Sequence, residues 1–476
     1  MNKPAIIAAT ISALGLGYTT AAWQVGDKIQ LADAAIVKQL DSPPGLVKME
    51  EHIFRSHVFS SDESVLLGLS LCAKPGGVRQ NPADTCAPTE NPLYLRLTAH
   101  YTHGPLPGFQ HVGLAAFSAT LTLDAKNDPA LLKALAAAPP LSLEGLVKLD
   151  GGLVARLSLP AMRLALVDGA EAEQTAVFTS QAISGELRAD PGFSAYRADL
   201  AIPYAGIAGG AESNTMEIAG LAVHDRMRRV GKNLYAGTDD IHLDKLSIGV
   251  ESSGGQADGT IRLAVGKLAS RYELKAAAGF MDISHRLDAD NLSIGGQALG
   301  KVSWEGFARH LQAAALDELA GILNGAALRR DGDGAQLQAM RPAGIALAQA
   351  GFNLGIERLE LRRPDGDARL SANLSLDRLS PIGDSLSEWL SKLRMQADFS
   401  ATEQAFADTM ANAAANPEQS AAAKQSLLAL LDGWVRQDFL QREAGRISAK
   451  AVFADQQLSL NGKPVVLPAL PQTLMP

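Results

Sequence analysis

Aromatic residues and excess basic charge are both scarce in this sequence of 476 residues. Aromatic side chains make up 5% of the chain, whereas glycines number 44. This composition suits thin, extended sheet layers better than a compact pocket lined by aromatic rings. The formal net charge is −8, and phosphate binding needs a concentrated basic face. We therefore expect no nucleic-acid partner.

The motifs that organise common catalytic sites are also missing. We find no G-x-S-x-G elbow, H-E-x-x-H pair, Walker loop or G-x-G-x-x-G turn. A metal would need His100, His103 and His111 to converge through the turn that follows His103. The alternative is that His103 is a turn residue, because strand residues three apart point to opposite faces. We predict no catalytic residue, cofactor or metal site, and hence a protein that is not an enzyme.

Cysteine occurs only twice, as Cys72 and Cys86, on either side of a loop rich in proline and glycine. If the body of the protein is exported, an oxidising compartment favours a disulfide between them. Closing a loop of this size contributes about 3 kcal/mol in the chain-entropy model. A zinc pair is the alternative, but neither cysteine has a nearby second ligand.

Residues 1–26 carry a hydrophobic segment with no charge between Lys3 and Asp27. The segment is long enough to cross a hydrocarbon core of about 30 Å as a helix. Tyr18 and Trp23 suit a membrane interface, and the positive charge at the start keeps that end in the cytoplasm. We predict a single anchor in the inner membrane with the body in the periplasm. The alternative is a cleaved signal peptide, because small residues precede Trp23.

The rest of the sequence predicts a β-dominated α+β fold with a long antiparallel sheet that could be curved. Residues 27–45 have the spacing of a juxtamembrane helix, 46–300 form a first β-rich part, and 301–476 form a second part with amphipathic helices. Alternating runs flank turn-forming residues three times, which indicates hairpins. The three turns are at residues 150–152, 252–259 and 364–366.

Helical periodicity predicts late helices that pack on this sheet. The clearest segments are 305–323, 384–393 and 417–442, and a proline after Asp128 opens a shorter helix. The segment 417–442 has the broadest apolar face, and we expect it to cover an edge or mouth of the sheet. Its own sheet, a second copy of the chain or an amphiphile could bury that face, which includes Leu427, Leu431 and Trp434.

Short motifs at both ends resemble the YdgA-like family of bacterial envelope proteins of unknown function. They are the hydrophobic N-terminus that runs into Trp23 and Gly26, a His103-Gly104-Pro105 step after a strand, and Asn461-Gly462 near the C-terminus. The resemblance implies an inner-membrane or periplasmic location and the capacity to self-associate. It implies no reaction, substrate or catalytic residue.

Two functions of different classes follow from these observations. The first is a non-enzymatic envelope protein whose extracytoplasmic β-body binds a partner or itself as a homo-oligomer. The alternative is a carrier or binder of a lipid or other amphiphile in an apolar groove. A groove requires a curved sheet whose apolar lining is not filled by helices, so the sheet discriminates between the two.

Overall fold

The computed structural model describes residues 47–69, 92–167, 175–209, 215–250, 261–294, 297–327, 333–378, 386–412 and 417–465. They belong to two compact units. Unit 1 comprises Met1–Ala205 and Ile322–Gln336, and unit 2 comprises Gly206–Gly321 and Leu337–Pro476. The expected anchor, the juxtamembrane helix and the cysteine pair lie outside the described residues and stay predictions, as does the division at residue 300.

Unit 1 is an antiparallel meander with one short helix. Consecutive strands pair from β1 to β6, β6 then pairs with β9, and β9 pairs with β10. Strands β7 and β8 form a hairpin, and β8 also pairs with β10. The expected hairpin at residues 150–152 joins β5 to β6, and the short helix α1 follows Asp128 as predicted. The elements are β1 Val47–Ser56, β2 Ser60–Leu69, β3 Leu93–His103, β4 Ala115–Leu123, α1 Pro129–Ala134, β5 Leu141–Val147, β6 Leu153–Leu159, β7 Met162–Val167, β8 Thr175–Ser180, β9 Ile183–Ala189 and β10 Ala195–Ala208.

Unit 2 is a second antiparallel meander with longer strands. Each strand pairs with the next from β11 to β18, β18 pairs with β20, and β20 to β22 continue the sheet. The β-dominated antiparallel fold is thus confirmed. The strands are β11 Thr215–Arg229, β12 Tyr235–Val250, β13 Ile261–Ala277, β14 Phe280–Ile294, β15 Gln297–Gln312, β16 Phe352–Arg363, β17 Gly366–Leu376, β18 Leu393–Thr402, β19 Gln441–Glu443, β20 Arg446–Ala454, β21 Gln457–Leu460 and β22 Lys463–Val465.

One face of the unit 2 sheet is charged because polar residues alternate with apolar ones along each strand. Directly paired residues lie on the same face, and one such row of charged residues crosses five strands. Within it, Arg358 Nη2 lies 2.7 Å from Glu305 Oε1. The row consists of Asp240, Arg271, Arg286, Glu305 and Arg358.

The helices of unit 2 differ from the predicted ones at their ends. They are α2 Ala313–Ala327, α3 Asp333–Ala350, α4 Leu386–Lys392, α5 Glu403–Asn412 and α6 Pro417–Arg436. The last part of α2 and the first part of α3 belong to unit 1. The prediction of a helix over 305–323 was wrong for its first eight residues, which end β15. Phe307 and Leu311 are four residues apart, a spacing that fits one face of either a helix or a strand. These residues form a strand because they pair with β14 on one side and β16 on the other.

The predicted end of the last helix at Arg442 was also wrong. Helix α6 ends at Arg436, the chain turns at Asp438 with φ +61°, and Arg442 lies in β19. The helical pattern of apolar and basic residues continues beyond Arg436, but Gln441–Glu443 pair with β20 instead. The last strands of the described chain are β20, β21 and β22, with Asn461-Gly462 between the last two.

The helices pack on the apolar face of the unit 2 sheet near the ends of its strands. At one end, Leu431 of α6 is 1% exposed in a cluster with Ala401 and Ile447. Two further clusters form where Leu347 and Trp389 meet strand residues. The core of unit 2 therefore lies in patches between helix and sheet.

Candidate functional site

A row of apolar side chains crosses unit 2 on the face opposite the charged row. Each member is the direct partner of the next, so all lie on one face. No charged residue interrupts the row over nine strands. Its members are Leu274, Ile283, Ala308, Leu354, Leu374, Met395, Phe453, Leu458 and Val465.

A second row of mostly small residues runs beside the first. It contains His285, Gly306, Ile356, Ala372 and Ala397, again joined by direct pairing. A third row beyond it is large again, with Trp304, Leu359, Leu370 and Phe399 in register. Small residues between two rows of large ones form a trough in the sheet surface.

The trough is a measurable groove of about 500 Å³, a volume typical of small-molecule sites. The described residues that line it all belong to β14–β18, and none of them lies in a helix. The lining includes Ile283, Trp304, Leu354, Ala372, Leu374 and Met395.

Two glycines let aromatic rings lie flat against the sheet at this place. A Cβ atom on Gly306 would stand 2.9 Å from Trp304 Cζ2, and one on Gly355 would stand 2.4 Å from Phe307 Cζ. Any larger residue at either position would therefore displace a ring. The approach of Trp304 to Gly306 lies on the groove face, whereas Phe307 and Gly355 pair on the opposite face, because neighbouring residues of a strand point to opposite sides.

The helix α6 packs on its own sheet and does not enter the groove. Leu431 is buried, and Leu427 is half-buried beside it against the same cluster. Trp434 is 39% exposed. Of the three possible covers for this helix, the structure shows the sheet covering Leu431 and leaves Trp434 partly accessible.

The small-residue row becomes polar towards one end of the groove. His285 stacks on Tyr272 with ring centroids 3.9 Å apart, and its Nε2 lies 3.0 Å from Ser270 Oγ. Burial lowers the pKa of His285. Tyr272 is in turn paired with Asp239, which is paired with Asp225. The surface thus changes from aliphatic through aromatic to acidic along one line.

Burial, together with a hydrogen bond to Asp239 and repulsion from it, raises the pKa of Asp225 to about 6. Two carboxyl groups side by side on a largely apolar face favour a shared proton, since both charges cannot be solvated there. Asp225 and Asp239 lie on β11 and β12, outside the strands that form the groove.

The histidines of unit 1 do not converge. His100 Nδ1 lies 2.7 Å from Asp62 Oδ1 at the surface, whereas His103 is 1% exposed with Nε2 3.1 Å from Ser61 Oγ. Burial, with a smaller effect of His100, lowers the pKa of His103. His111 lies in the exposed connection that follows. Among the described residues, no group of three His, Cys, Asp or Glu side chains is arranged to hold a metal ion.

In the part of the chain that the structure describes, the motifs that carry the family resemblance make structural contacts. The Gly104 N–H donates to the Leu114 carbonyl at 2.9 Å, and Pro105 accepts from Gly113. Asn461 Oδ1 accepts from the Lys450 N–H at 2.8 Å, while its Nδ2 donates to the Asp438 carbonyl at 2.9 Å. With φ values of +51° and +79°, Asn461 and Gly462 form the two-residue turn between β21 and β22.

Fold and site together describe a β-dominated protein with an apolar groove in an antiparallel sheet. The chain belongs to DUF945, a family of bacterial proteins of unknown function, whose model matches residues 1–468. No curated protein and no solved structure matches the chain. In the part of the chain that the structure describes, no helix is long and apolar enough to cross a membrane.

Proposed function

We propose that unit 2 binds a single-chain amphiphile, with its alkyl chain in the groove of β14–β18. The observation that supports this function is the trough itself, which has an apolar lining made only by strands. Helices cover the same face on either side of it. This is the arrangement expected of a binder or carrier, whereas burial of the whole face by helices would leave no site.

The groove has dimensions suited to an extended alkyl chain. Ile283 and Met395 are separated by four strand spacings, or roughly 19 Å at about 4.8 Å each. A chain that lies across the strands replaces water on the walls formed by Leu354 and Leu374, with a gain of roughly 25 cal/mol per Å² of apolar area buried. The headgroup then lies towards His285 and Tyr272, where the row becomes polar.

The test uses the full-length protein and a fluorescent fatty acid as the probe. Ala372→Phe places a ring on the floor of the groove, and we expect at least a tenfold loss of affinity. Ser371→Phe is the matched control, because Ser371 is the preceding residue on the opposite face of β17 and lines a polar depression there. Equal affinity of the folded Ala372→Phe variant and the parent would contradict the proposal.

We further propose that this body lies in the periplasm, held at the inner membrane by residues 1–26. The intact mass of membrane-extracted protein should then include Met1 or Asn2. A mature N-terminus at Trp23 would contradict the anchor and support export with cleavage. The disulfide between Cys72 and Cys86 is tested on the same material by peptide mapping without reduction.

Binding to a protein partner or self-association stays the second candidate function. Trp434 and its exposed neighbours Leu430 and Phe439 offer an apolar surface on and just after α6. Native mass spectrometry of the full-length protein reports oligomer size and any retained amphiphile in one measurement. A dimer that Trp434→Asp converts to monomer would support this second function.

A further inference from the structure

Four turns lie at one end of the unit 1 sheet. In an antiparallel meander, alternate connections return to the same end, so the β1–β2, β3–β4, β5–β6 and β9–β10 turns are neighbours. Hydrogen bonds join them in pairs: the His103 N–H donates to the Phe59 carbonyl at 2.8 Å, and the Leu114 N–H donates to the Val147 carbonyl at 2.7 Å. We call this set of turns the tip end.

The tip end carries nearly all the exposed large hydrophobic side chains of residues 47–205. Of eight such residues that the structure describes in this range, seven lie in these turns, and Ile53 on β1 is the other. Phe109 is 81% exposed, the most of any of them. The seven are Val58, Phe59, Leu106, Phe109, Val112, Leu149 and Phe193.

The sequence Pro-Gly-Phe occurs in two of these turns with the same backbone. Gly108 and Gly192 have φ values of +57° and +62°, and Phe109 and Phe193 have φ values of +58° and +56°. A positive φ at a bulky residue is uncommon and costs of the order of 1–3 kcal/mol. Two turns thus accept the same unfavourable conformation, and each exposes its phenylalanine.

The connection at the opposite end of the sheet is built differently. Between β4 and β5, Asp124 and Asn127 are buried and hydrogen-bonded, with Arg96 Nε 2.6 Å from Asp124 Oδ2 and Asn127 Nδ2 2.6 Å from the Tyr94 carbonyl. The apolar character of the tip end is therefore not a general property of turns in this sheet.

We propose that the tip end docks on a lipid bilayer and inserts its apolar side chains between the headgroups. The turns stand in a line of roughly 29 Å, six strand spacings, and present single side chains on separate tips. Single apolar side chains on separate tips can enter the headgroup region one by one. Insertion also requires the backbone to be satisfied internally. The Phe109 N–H donates to the Leu106 carbonyl at 2.9 Å, and the Phe193 N–H donates to the Asp190 carbonyl at 2.9 Å.

The length of chain before unit 1 is compatible with docking on the membrane that holds the anchor. Strand β1 begins at Val47, which lies at the end of the sheet opposite the tips, about 30 Å away for ten residues. The twenty residues 27–46 can reach at most about 70 Å when fully extended. The tip end can therefore turn towards that membrane. This inference is independent of the groove in unit 2.

The test places a tryptophan on the tip of the full-length protein. Phe109→Trp is compared with Ile53→Trp, a matched control on an exposed strand position of the same unit. Both proteins are purified in detergent and returned to vesicles of phosphatidylethanolamine and phosphatidylglycerol, with and without brominated acyl chains. After subtraction of the parent signal, we expect bromine to quench most of the added emission of Phe109→Trp and little of that of Ile53→Trp.

Two results would overturn the proposal. One is equal insensitivity of both tryptophans to bromine and equal access to iodide, which would mean that the tip stays in water. The other is protection of the Phe109→Trp emission from iodide without quenching by bromine, which would mean that a protein surface, such as a second copy of the chain, covers the tip.

Discussion

The two units expose apolar side chains in different ways although both are antiparallel meanders. In unit 1 the apolar residues stand on turns at one end of the strands. In unit 2 they form rows that cross β14–β18, strands of 10 to 16 residues. Strands β1–β9 of unit 1 have 6 to 11 residues. Longer strands have enough surface for both packed helices and an uncovered groove. Shorter strands expose apolar residues mainly in the turns at their ends.

The first prediction concerns the helix that covers part of the unit 2 face. Leu431→Asp should lower the free energy of unfolding by at least about 3 kcal/mol, because it removes a buried aliphatic side chain and buries a charge. Trp434→Asp, three residues along the same helix, should lower it clearly less than Leu431→Asp does, since Trp434 is 39% exposed and Leu431 is 1% exposed. Urea unfolding followed by circular dichroism measures both.

Equal effects of these two substitutions would contradict the packing of α6. A small effect of Leu431→Asp combined with loss of a dimer would instead assign the helix to an interface between copies.

The second prediction concerns the turn between β21 and β22. Asn461→Ala should destabilise unit 2 by about 1–3 kcal/mol, because it removes side-chain hydrogen bonds to Lys450 and Asp438 and leaves a residue less suited to positive φ. Gln457→Ala on the exposed side of β21 is the control and should stay within about 0.5 kcal/mol of the parent. If Asn461→Ala matched the control, the turn would not hold these strands together.

The third prediction concerns how the stability of each unit depends on pH. The lowered pKa of His103 means that its contribution to unit 1 is present above pH 6.5 and is lost as the pH falls further. The raised pKa of Asp225, about 6, means that unit 2 loses stability as the pH rises from about 4 through 6. Acidification from pH 7 to pH 5 should therefore weaken unit 1 through His103, whereas in unit 2 the gain at Asp225 opposes a loss at His285, whose pKa is also lowered by burial.

His103→Gln and Asp225→Asn should each remove the contribution of the replaced group within this window. Hydrogen exchange measured by mass spectrometry, with variant and parent compared at each pH, follows β3 and β11 separately. The difference between variant and parent should change with pH in opposite directions for the two substitutions, and a change in the same direction would contradict the opposite signs.

Sequence patterns predicted the strands and hairpins well because alternation and turn chemistry are local. The same local argument misassigned residues 305–312, since a four-residue spacing fits a helix and a strand, and only pairing with β14 and β16 separates them. Helix α3 was not predicted, and the Pro342 in its interior is one reason. The Pro-Gly-Phe repeat was readable in the sequence and was missed.

The groove could not be predicted because it depends on register between distant strands. Ala372 is small, but nothing local shows that it lies between Ile356 and Ala397 or that Leu354 and Leu374 stand beside it as a wall. A shift of one residue in any of these pairings would turn the floor to the charged face. The prediction of an amphiphile binder therefore rested on composition and on the late helices, whereas the groove is built by strands alone.

The groove is tested most directly by the fluorescence of Trp304, which lines it. A variant of the full-length protein that keeps Trp304 and replaces Trp23, Trp389 and Trp434 by phenylalanine is titrated with a fatty acid brominated on its chain. We expect saturable quenching of Trp304, abolished by Ala372→Phe and retained in Ser371→Phe. Emission that brominated and unbrominated fatty acids leave equally unchanged would contradict the binding of an alkyl chain in this groove.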